Sequence, residues 1–273
     1  MENHEVKLSA SSEDYFRSSA GYYTDYRKPY PAALFEPMRG SFQTGSENAL
    51  LDVGCGTGQI ALPLRDDFGR VVGVDLSQEM IDYVNQRSEE LGATNTEFIQ
   101  LAGEEIGSLT GPFDLITYGS ALHWMDIRRS LAACGDLLSE GGGVAILAMS
   151  SIWGGKADWE QAVVRVVQKW MGDDRRAGSS TFNSSTNGVS FEDALVNAGF
   201  DIFNSGVVEA SYSVDIPFII GHLYTTSYCN RDLLGENVEA FERDLSQTLL
   251  ELNSVGEFQW SPGASYIFGR KAA

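Results

Sequence analysis

Residues 50–58 read Leu50-Leu-Asp-Val-Gly-Cys-Gly-Thr-Gly58, an apolar run that ends in three glycines separated by single residues. The apolar part predicts a strand buried on both faces, as in a parallel sheet. Glycine lets the chain turn sharply and lets its backbone approach a ligand, because no Cβ stands in the way. The stretch therefore predicts a buried strand that leads into a ligand-binding loop.

Strands and helices alternate along the first half of the chain. Apolar runs predict strands over residues 48–53, 70–74, 96–100, 113–118 and 144–148. Between them, apolar residues at helical spacing predict one helix after the N-cap Ser77 and another from Ile127, closed by the glycines at 141–143. This alternation indicates βαβ units, and hence a parallel sheet with right-handed crossovers.

The second half has a different pattern. It predicts helices over 159–170, 191–198 and 238–252, strands over 207–212 and 264–268, and a polar loop over 172–187. Residues 1–20 are polar and predict a frayed terminus or a loose helix. Pro63 stands where the first helix is expected and predicts a kink there. We expect the apolar helical stripes to be core rather than cofactor contacts.

Composition and charge exclude several classes of protein. The 273 residues fit one large domain or two small ones, and a hydrophobic content of 43% supplies a core. No run reaches the roughly 18 apolar residues of a membrane span, and no secretory signal is visible at the start. The net charge of −19 disfavours nucleic acid or membrane as the main partner, because phosphate backbones and anionic lipids would be repelled.

The cysteine pattern indicates the redox state of the compartment and bears on metal binding. Cys55, Cys134 and Cys229 cannot form a complete disulfide set. They also lack the close pairing of zinc ligands, so we expect no metal site. A reduced, cytoplasmic compartment is the expectation.

An acidic residue follows the glycine loop at the end of the second predicted strand. Asp75 stands 21 residues after Gly54 (75 − 54), where a carboxylate can accept hydrogen bonds from both hydroxyls of a ribose. A dinucleotide-binding fingerprint would need glycine where Gln59 stands, which argues against a pyrophosphate. The loop and Asp75 together predict a nucleoside ligand and disfavour a nicotinamide dehydrogenase.

Four motifs in this order make the chain resemble the class I S-adenosylmethionine-dependent methyltransferases. They are Leu50–Gly58, Val74–Ser77, Phe113–Trp124 and Leu138–Gly142. Upstream, Arg27-Lys-Pro-Tyr-Pro31 is similar to an element of the small-molecule branch, near the trans-aconitate and ubiquinone-biosynthesis methyltransferases. The resemblance implies an α/β, Rossmann-like fold, in which a mostly parallel seven-stranded sheet has helices on both faces and a helical cover over the substrate site.

The resemblance also implies an organisation along the chain. It predicts a single methyltransferase domain over residues 1–273, with an N-terminal helical cover over 1–45 and a cofactor-binding half over 46–150. Residues 151–273 would supply the substrate-cover helices and the final strands.

S-adenosylmethionine is the implied cofactor, and each part of it has implied contacts. The methionine part would be lined by Asp52, Gly54, Gly56 and Gly58, the ribose held by Asp75, and the adenine contacted by Leu76, Met80, Gly103 and Glu104. The sulfonium would be faced by Tyr118 and covered by N-terminal tyrosines, namely Tyr30 with Tyr22 or Tyr23. Ala102 stands where the family often has an acidic residue for the adenine amino group, and Glu104 is the expected substitute.

The implied activity is in-line transfer of a methyl group from sulfur to a small-molecule acceptor. The protein must hold acceptor, methyl and sulfur in line and exclude water. A general base would assist an acceptor with an acidic proton, and His123 and His222 are the candidates. Aromatic residues are frequent in segments outside the sheet, over 15–30, 153–170 and 218–228, and suit a mid-sized, partly apolar acceptor.

Other interpretations stay open at this point. Some members of the family hold S-adenosylmethionine while catalysing a cyclisation or another reaction without methyl transfer. A binding or regulatory module without chemistry would have no evident use for the glycine loop and Asp75. The expected partners are a small-molecule substrate and a second copy of the chain, docked through the N-terminal segment; neither nucleic acid nor membrane is expected.

Overall fold

The computed structural model of the chain describes residues 23, 25–173, 176–177, 180–181 and 190–271. Its strands are β1 (Gly45–Val53), β2 (Phe68–Asp75), β3 (Thr96–Gln100), β4 (Phe113–Gly119), β5 (Leu138–Met149), β6 (Arg176–Ala177), β7 (Ser180–Thr181), β8 (Phe200–Glu209), β9 (Tyr212–Asp215), β10 (Glu257–Trp260) and β11 (Gly263–Lys271). Its α-helices are α1 (Phe35–Ser41), α2 (Ala61–Leu64), α3 (Gln78–Glu90), α4 (Ile127–Leu137), α5 (Asp158–Met171), α6 (Phe191–Asn197), α7 (Ile216–Tyr224), α8 (Arg231–Leu234) and α9 (Val238–Leu252).

Seven strands form the central sheet, in the order β3-β2-β1-β4-β5-β11-β8. The five strands from β3 to β5 in this order are parallel to their neighbours, and β11 is antiparallel to both β5 and β8. The predicted seven-stranded, mostly parallel sheet is confirmed. The strand order reverses between β1 and β4, which is where the crevice of an open α/β sheet forms.

Pairing at this reversal brings three loops together. Val53 at the end of β1 pairs with Val74 of β2 on one side and with Tyr118 of β4 on the other. The segments that follow these three strands therefore leave the sheet side by side. Because β1 is buried over its last five residues, the strand itself is inaccessible and only its loop reaches solvent.

Helices cover both faces of the sheet. Apolar residues of α1, α2 and α3 pack on one face, and those of α4 and α6 pack on the other. The N-cap prediction for α3 is confirmed, since the Ser77 Oγ accepts a hydrogen bond from Met80 N. Asp126 caps α4 in the same way through Arg129 N.

A third apolar cluster lies outside the sheet and forms a cover. It joins α5, α7 and α9 to the small antiparallel pair β9–β10, and Ile219, Phe241, Leu245 and Leu249 are fully buried in it. The Trp159 indole donates to the Gln259 carbonyl at 3.2 Å and so ties α5 to β10. The helical stripes predicted over 159–170 and 238–252 are core, as expected. Among the described residues, no helix combines the length and the apolar character needed to cross a membrane.

Three expectations about element boundaries were wrong. The glycines at 141–143 do not close α4 but lie within β5, where a Cβ on Gly143 would approach the Gly269 carbonyl of β11 to 2.5 Å. Pro63 does not kink a long helix, because α2 ends at Leu64 and is followed by a 3-10 turn over Arg65–Asp67. The strand expected over 207–212 is divided between β8 and β9 at Ala210.

One helix was not predicted from the sequence, and two predicted segments lie largely or wholly outside the described residues. Helix α7 was not predicted; it begins after Asp215, whose side chain accepts from Phe218 N, and has proline at its second residue. The expected loop over 172–187 lies largely outside the described residues, apart from the two-residue pair β6–β7. Residues 1–20 also lie outside them.

Candidate functional site

The carboxyl ends of the parallel strands border a cavity of about 300 Å³. One end of it, here called the glycine-loop end, is lined by Gly54, Gly56, Asp75, Leu76 and Met80. The other, called the strap end, is lined by Tyr23, Arg27, His222, Thr225 and Tyr228. Tyr23 and Arg27 belong to the N-terminal strap, residues 23–30, of which 23 and 25–30 are described. The cavity lies at the strand-order reversal and its volume is that of a small-molecule site.

The glycine loop is held by the neighbouring strand. The amides of Gly54 and Cys55 both donate to the Val74 carbonyl at the end of β2, at 2.8 and 2.9 Å. Gly54 has a φ of +70°, and a Cβ there would lie 2.5 Å from the Ala121 Cβ. Both the backbone conformation and the close approach of the loop after β4 therefore require glycine at this position.

The other two glycines have different surroundings. Gly56 borders the cavity, and a Cβ built on it meets nothing within 4 Å, so the missing side chain leaves open space beside the cavity. Gly58 does not border the cavity; a Cβ there would lie 2.6 Å from Val84 and 2.8 Å from Leu62. This glycine lets the loop pack closely on α2 and α3, and its predicted ligand contact stays a prediction.

Asp75 holds the loop while its carboxylate lines the cavity. Its Oδ2 accepts from Gly56 N and its Oδ1 accepts from Ser77 N, each at 2.9 Å. Burial raises the pKa of Asp75 above its ordinary value, and the hydrogen bonds from these backbone amides oppose that rise. A carboxylate has about four acceptor positions, so capacity remains for ribose hydroxyls.

Asp52 lies behind the loop rather than in the cavity. It is 1% exposed, and it accepts from the Thr117 hydroxyl at 2.8 Å and from the Ala61 amide at 3.2 Å. Burial raises the pKa of Asp52 to about 7, against the effect of these two hydrogen bonds. Asp52 ties β1 to β4 and to the start of α2, and its predicted place beside the methionine part stays a prediction.

Leu76 and Met80 supply an apolar wall at the glycine-loop end, and Gly103 and Glu104 supply the facing edge. One carboxylate oxygen of Glu104 already accepts from Asp126 N at 2.6 Å. Met125 is a wall residue that the sequence did not single out: its side chain packs where a Cβ on Gly103 would stand. The signal in the sequence was its place directly after the Phe113–Trp124 motif.

Two tyrosines, Tyr118 and Tyr30, are predicted cofactor contacts, and each hydroxyl is bonded to a protein side chain. Tyr118 borders the cavity, but its hydroxyl lies in the core, 2.7 Å from Ser130 Oγ and 3.0 Å from Cys134 Sγ. The hydroxyl of Tyr30 lies 3.0 Å from Ser120 Oγ, behind the loop that follows β4. Burial raises the pKa of both phenols, so both remain protonated. Tyr22 lies outside the described residues, whereas Tyr23 does border the cavity.

Arg27 binds the strap to the end of α7. Its Nε donates to the Thr225 hydroxyl at 2.8 Å, and its Nη2 donates to the Thr225 carbonyl at 3.2 Å. The guanidinium also lies 5.1 Å from the centre of the Tyr23 ring. The sequence contains a recognisable motif around Arg27, but the position of Arg27 in the cavity depends on its contact with Thr225, 198 residues away.

His222 lies in the cavity wall as a neutral side chain. It is 3% exposed, stacks on Phe218 and meets the Trp260 ring edge-on. Its Nδ1 lies 2.9 Å from the Tyr26 carbonyl, which can only accept, so Nδ1 carries the proton and Nε2 is an acceptor. Burial lowers the pKa of His222 to about 3, and the nearby Arg27 adds to this effect. Such an imidazole is a weak base and a good hydrogen-bond acceptor.

His123 lies at the exposed rim of the same cavity, with its ring centre 5.0 Å from that of Trp124. Both predicted histidines therefore border the site, one at the rim and one in the wall. The contacts of His123 and His222 do not test proton transfer, so the catalytic roles of both residues remain predictions.

The residues fit S-adenosylmethionine on the observations above. Gly56 leaves space beside the cavity that a side chain would fill, and Asp75 offers carboxylate oxygens at the next strand end. Leu76 and Met80 provide an apolar surface for a planar base. Among the described residues, no group of three or more His, Cys, Asp or Glu side chains is placed to hold a metal ion.

Comparisons with known proteins agree with this geometry. Residues 50–142 match the family model described as a methyltransferase domain. A Saccharomyces cerevisiae protein named as an S-adenosylmethionine-dependent methyltransferase is 27% identical over 125 residues, which are 45% of this chain and 43% of the relative. The tRNA 5-carboxymethoxyuridine methyltransferase of Escherichia coli is 33% identical over 123 residues, 41% of this chain and 47% of the relative. The chain thus spans less than half the length of these relatives.

Solved structures share the fold over most of the chain. A protein of Anaeromyxobacter dehalogenans named as a type II methyltransferase superposes with a TM-score of 0.67 at 18% identity, covering 91% of this chain and 100% of that one. The matched domain, the strand order and the cavity beside the glycine loop lead to one conclusion. Residues 50–142 of this chain match a methyltransferase domain, and the chain is similar in sequence and in fold to S-adenosylmethionine-dependent methyltransferases, whose cofactor is S-adenosylmethionine.

Proposed function

We propose that this protein transfers the methyl group of S-adenosylmethionine to a small-molecule acceptor bound at the strap end of the cavity. The observation that carries the proposal is the continuity of the cavity, which joins the Gly54–Gly56 loop and Asp75 to a wall of aromatic and hydroxyl side chains. When bound, S-adenosylmethionine supplies an electrophilic methyl group on a sulfonium. Residues 1–273 are proposed to act as one catalytic unit.

Positioning is the main task of the chain's own residues. The glycine loop and Asp75 are rigidly braced by β2, so they can hold one reactant in a fixed place. The strap end is formed by α7 and the N-terminal strap, which can hold the second reactant against the first and exclude water. Alignment of two reactants in this way accounts for a large part of the rate in such displacements.

Proton removal has a minor place in this proposal. His222 can accept a hydrogen bond from an acceptor group through Nε2, but its lowered pKa makes it a poor general base near neutral pH. His123 at the rim is the other proposed proton acceptor. The arrangement favours acceptors that are already nucleophilic when bound, such as anionic oxygens or neutral amines.

Charge favours a small molecule over RNA as the acceptor. The net charge of −19 repels a phosphate backbone, and Arg27 is the one arginine or lysine among the described residues that line the cavity. One relative of this chain acts on tRNA by its name, so the acceptor class needs a direct test.

The test combines binding with product analysis. Calorimetric titration with S-adenosylmethionine is expected to show one site per chain, and lack of binding at millimolar ligand would contradict the proposal. Methyl-labelled S-adenosylmethionine is then offered with a panel of small acids, phenols and amines, or with total tRNA. Label in the small molecules supports the proposal, whereas label in tRNA alone contradicts the small-molecule acceptor. A product isomeric with its substrate, formed without S-adenosylhomocysteine, would instead support the cyclisation alternative.

A further inference from the structure

His222 brings an open hydrogen-bond acceptor to the strap end of the cavity. One ring nitrogen, Nδ1, is bonded to the Tyr26 carbonyl. The described part of the chain offers no partner to the other nitrogen, Nε2, although every fully buried side-chain nitrogen or oxygen in that part has a partner. Nε2 is therefore not sealed inside the protein, and the space that His222 borders is the cavity. An acceptor in so buried a side chain favours a ligand that donates to it, because its desolvation is otherwise uncompensated.

The imidazole is fixed so that Nε2 accepts and does not donate. The proton is on Nδ1, since a carbonyl oxygen can only accept. The ring centre lies 5.9 Å from that of the stacked Phe218 ring and 5.1 Å from that of the Trp260 ring, which meets it edge-on. These two aromatic rings and the bond to the Tyr26 carbonyl hold the plane of the imidazole, so the acceptor is preorganised.

The end of α7 adds further acceptors beside His222. The Thr225 hydroxyl donates to the His222 carbonyl, and the Thr226 hydroxyl donates to the Leu223 carbonyl, each at 2.6 Å. Both threonines border the cavity. Because their hydroxyl protons are already used, any further hydrogen bond to these oxygens is one that they accept. This part of the wall therefore matches a donor on the ligand.

The local charge favours a neutral donor over a cationic one. Arg27 is bonded to Thr225 at the same end of the cavity. Burial, and then the positive charge of Arg27, keep the pKa of His222 below its ordinary value. An ammonium group on the ligand would meet the same repulsion, whereas a neutral hydroxyl donates a hydrogen bond without it.

We propose that His222 is a specificity-determining residue whose Nε2 accepts a hydrogen bond from a neutral hydroxyl group of the acceptor substrate. The inference rests on the proposed function and names the class of acceptor, a hydroxylated small molecule. The hydroxyl keeps its proton in this interaction, so it is a recognition group rather than the nucleophile.

The experiment measures binding by calorimetry with matched ligand pairs, on protein saturated with S-adenosylhomocysteine. Phenol, cyclohexanol and 1-hexanol are compared with fluorobenzene, fluorocyclohexane and 1-fluorohexane, in which fluorine replaces the hydroxyl and has no proton to donate. In at least one pair we expect the hydroxyl form to bind the unmodified protein roughly 3- to 30-fold more tightly.

Two variants separate hydrogen bonding from packing. His222→Phe removes Nε2 and keeps an aromatic ring, so the preference for the hydroxyl form should disappear while the fluoro form binds as before. Phe218→Leu is the control, because it disturbs the packing of the same imidazole and leaves Nε2 in place. It should keep the preference. A merely structural role of His222 would weaken both members of a pair equally. Circular dichroism and the melting temperature verify that each variant is folded.

Nitrogen NMR of the histidines tests the same contact without a substitution. The chain has three histidines, so their ring signals can be told apart. In the unmodified protein His222 should carry its proton on Nδ1. The hydroxyl form of a preferred pair should shift the Nε2 signal, and its fluoro partner should leave the signal in place.

The outcomes distinguish this inference from the proposed function. The inference is overturned if no pair shows a preference, if His222→Phe keeps the preference, or if a bound hydroxyl form leaves the Nε2 signal unmoved. Binding of S-adenosylmethionine would still stand in each of these cases. Failure of the unmodified protein to bind S-adenosylmethionine overturns the proposed function, and the inference with it.

Discussion

The two ends of the cavity are built by different means. At the glycine-loop end, backbone conformation and strand pairing place the groups. Gly54 follows β1 and donates to the Val74 carbonyl of β2, and Asp75 ends β2 and accepts from Gly56 N. At the strap end, Arg27 and Thr225 meet through side chains that lie 198 residues apart. The first end depends on local chain geometry and the second on long-range packing. We therefore expect the two ends to respond to different substitutions.

Gly54→Ala should have the largest effect, because it damages the glycine-loop end through the backbone. The residue has a φ of +70°, and the new Cβ would lie 2.5 Å from the Ala121 Cβ. Strain and overpacking together should lower the free energy of unfolding by about 2–5 kcal/mol, measured by urea denaturation. The control is Gly235→Ala, at a φ of +55° with no atom within 4 Å, which should lose about half as much. Equal losses would show that contact with Ala121 is irrelevant.

Asp75→Ala should weaken S-adenosylmethionine binding by roughly 10- to 100-fold, through loss of charged hydrogen bonds to the ribose. A carboxylate at the amino-terminal end of β4, away from the cavity, serves as control. Asp114 accepts from Ala49 N at 2.8 Å and from Ser139 Oγ at 2.7 Å, a similar pair of bonds away from the cavity. Asp114→Ala should lower stability and leave affinity unchanged. If both variants bind equally, Asp75 only braces the loop.

Gly221→Ala tests the strap end. A Cβ at this helical position would overlap the Tyr26 ring, so the strap has to move, whereas α7 gains about 1 kcal/mol of helix propensity. We expect little change in the free energy of unfolding but faster hydrogen exchange in residues 25–30. The contacts of Asp75 with the nucleoside part of S-adenosylmethionine should persist, so the variant should still bind this ligand. A large loss of stability, with unchanged exchange in the strap, would mean that the two ends are not independent.

Two further expected effects depend on pH, and they have opposite signs at Asp52 and His222. The pKa of Asp52 is raised from 3.8 to about 7, so its contribution to stability is complete below pH 4 and is lost as pH rises toward 7. The pKa of His222 is lowered from 6.5 to about 3, so its contribution is present above pH 6.5 and is lost as pH falls toward 3. Between pH 4 and 6.5 the two contributions to the free energy of unfolding change with pH in opposite directions, so their changes offset each other.

Single variants separate them. Relative to the unmodified protein, Asp52→Asn should become more stable as pH rises from 4 to 7, and His222→Gln should become more stable as pH falls from 6.5 to 3. Each relative change should be on the order of 4 kcal/mol, because a pKa difference of about three units is worth about 1.4 kcal/mol per unit; urea denaturation at several pH values measures it. Parallel curves for a variant and the unmodified protein would show that the substituted group does not titrate in that window.

Site residues were predictable from sequence where the backbone decides the position. Gly54, Gly56, Asp75, Leu76 and Met80 border the cavity as expected, because each lies within a few residues of a strand end at the reversal of strand order. Side-chain direction was less predictable. Strand residues alternate between faces, and Tyr118 directs its hydroxyl toward α4.

Two residues of the glycine motif itself do not line the cavity. Asp52 and Gly58 match the motif as well as Gly54 does, yet they contact Thr117 and Val84 behind the loop. A motif records which residue type stands at each position. It does not record whether ligand or protein imposes that requirement, because both can demand a small residue or a buried carboxylate.

The amino-acid sequence by itself determined the alternation of strands and helices, the glycine loop and the acidic strand end, since these follow from local periodicity and from chain conformations that only glycine adopts readily. Only the tertiary structure decided that Arg27, His222 and Thr225 share a cavity with that loop. Their meeting depends on how α7 and the strap pack across the sheet edge, and contacts between segments so distant in the chain have no local pattern.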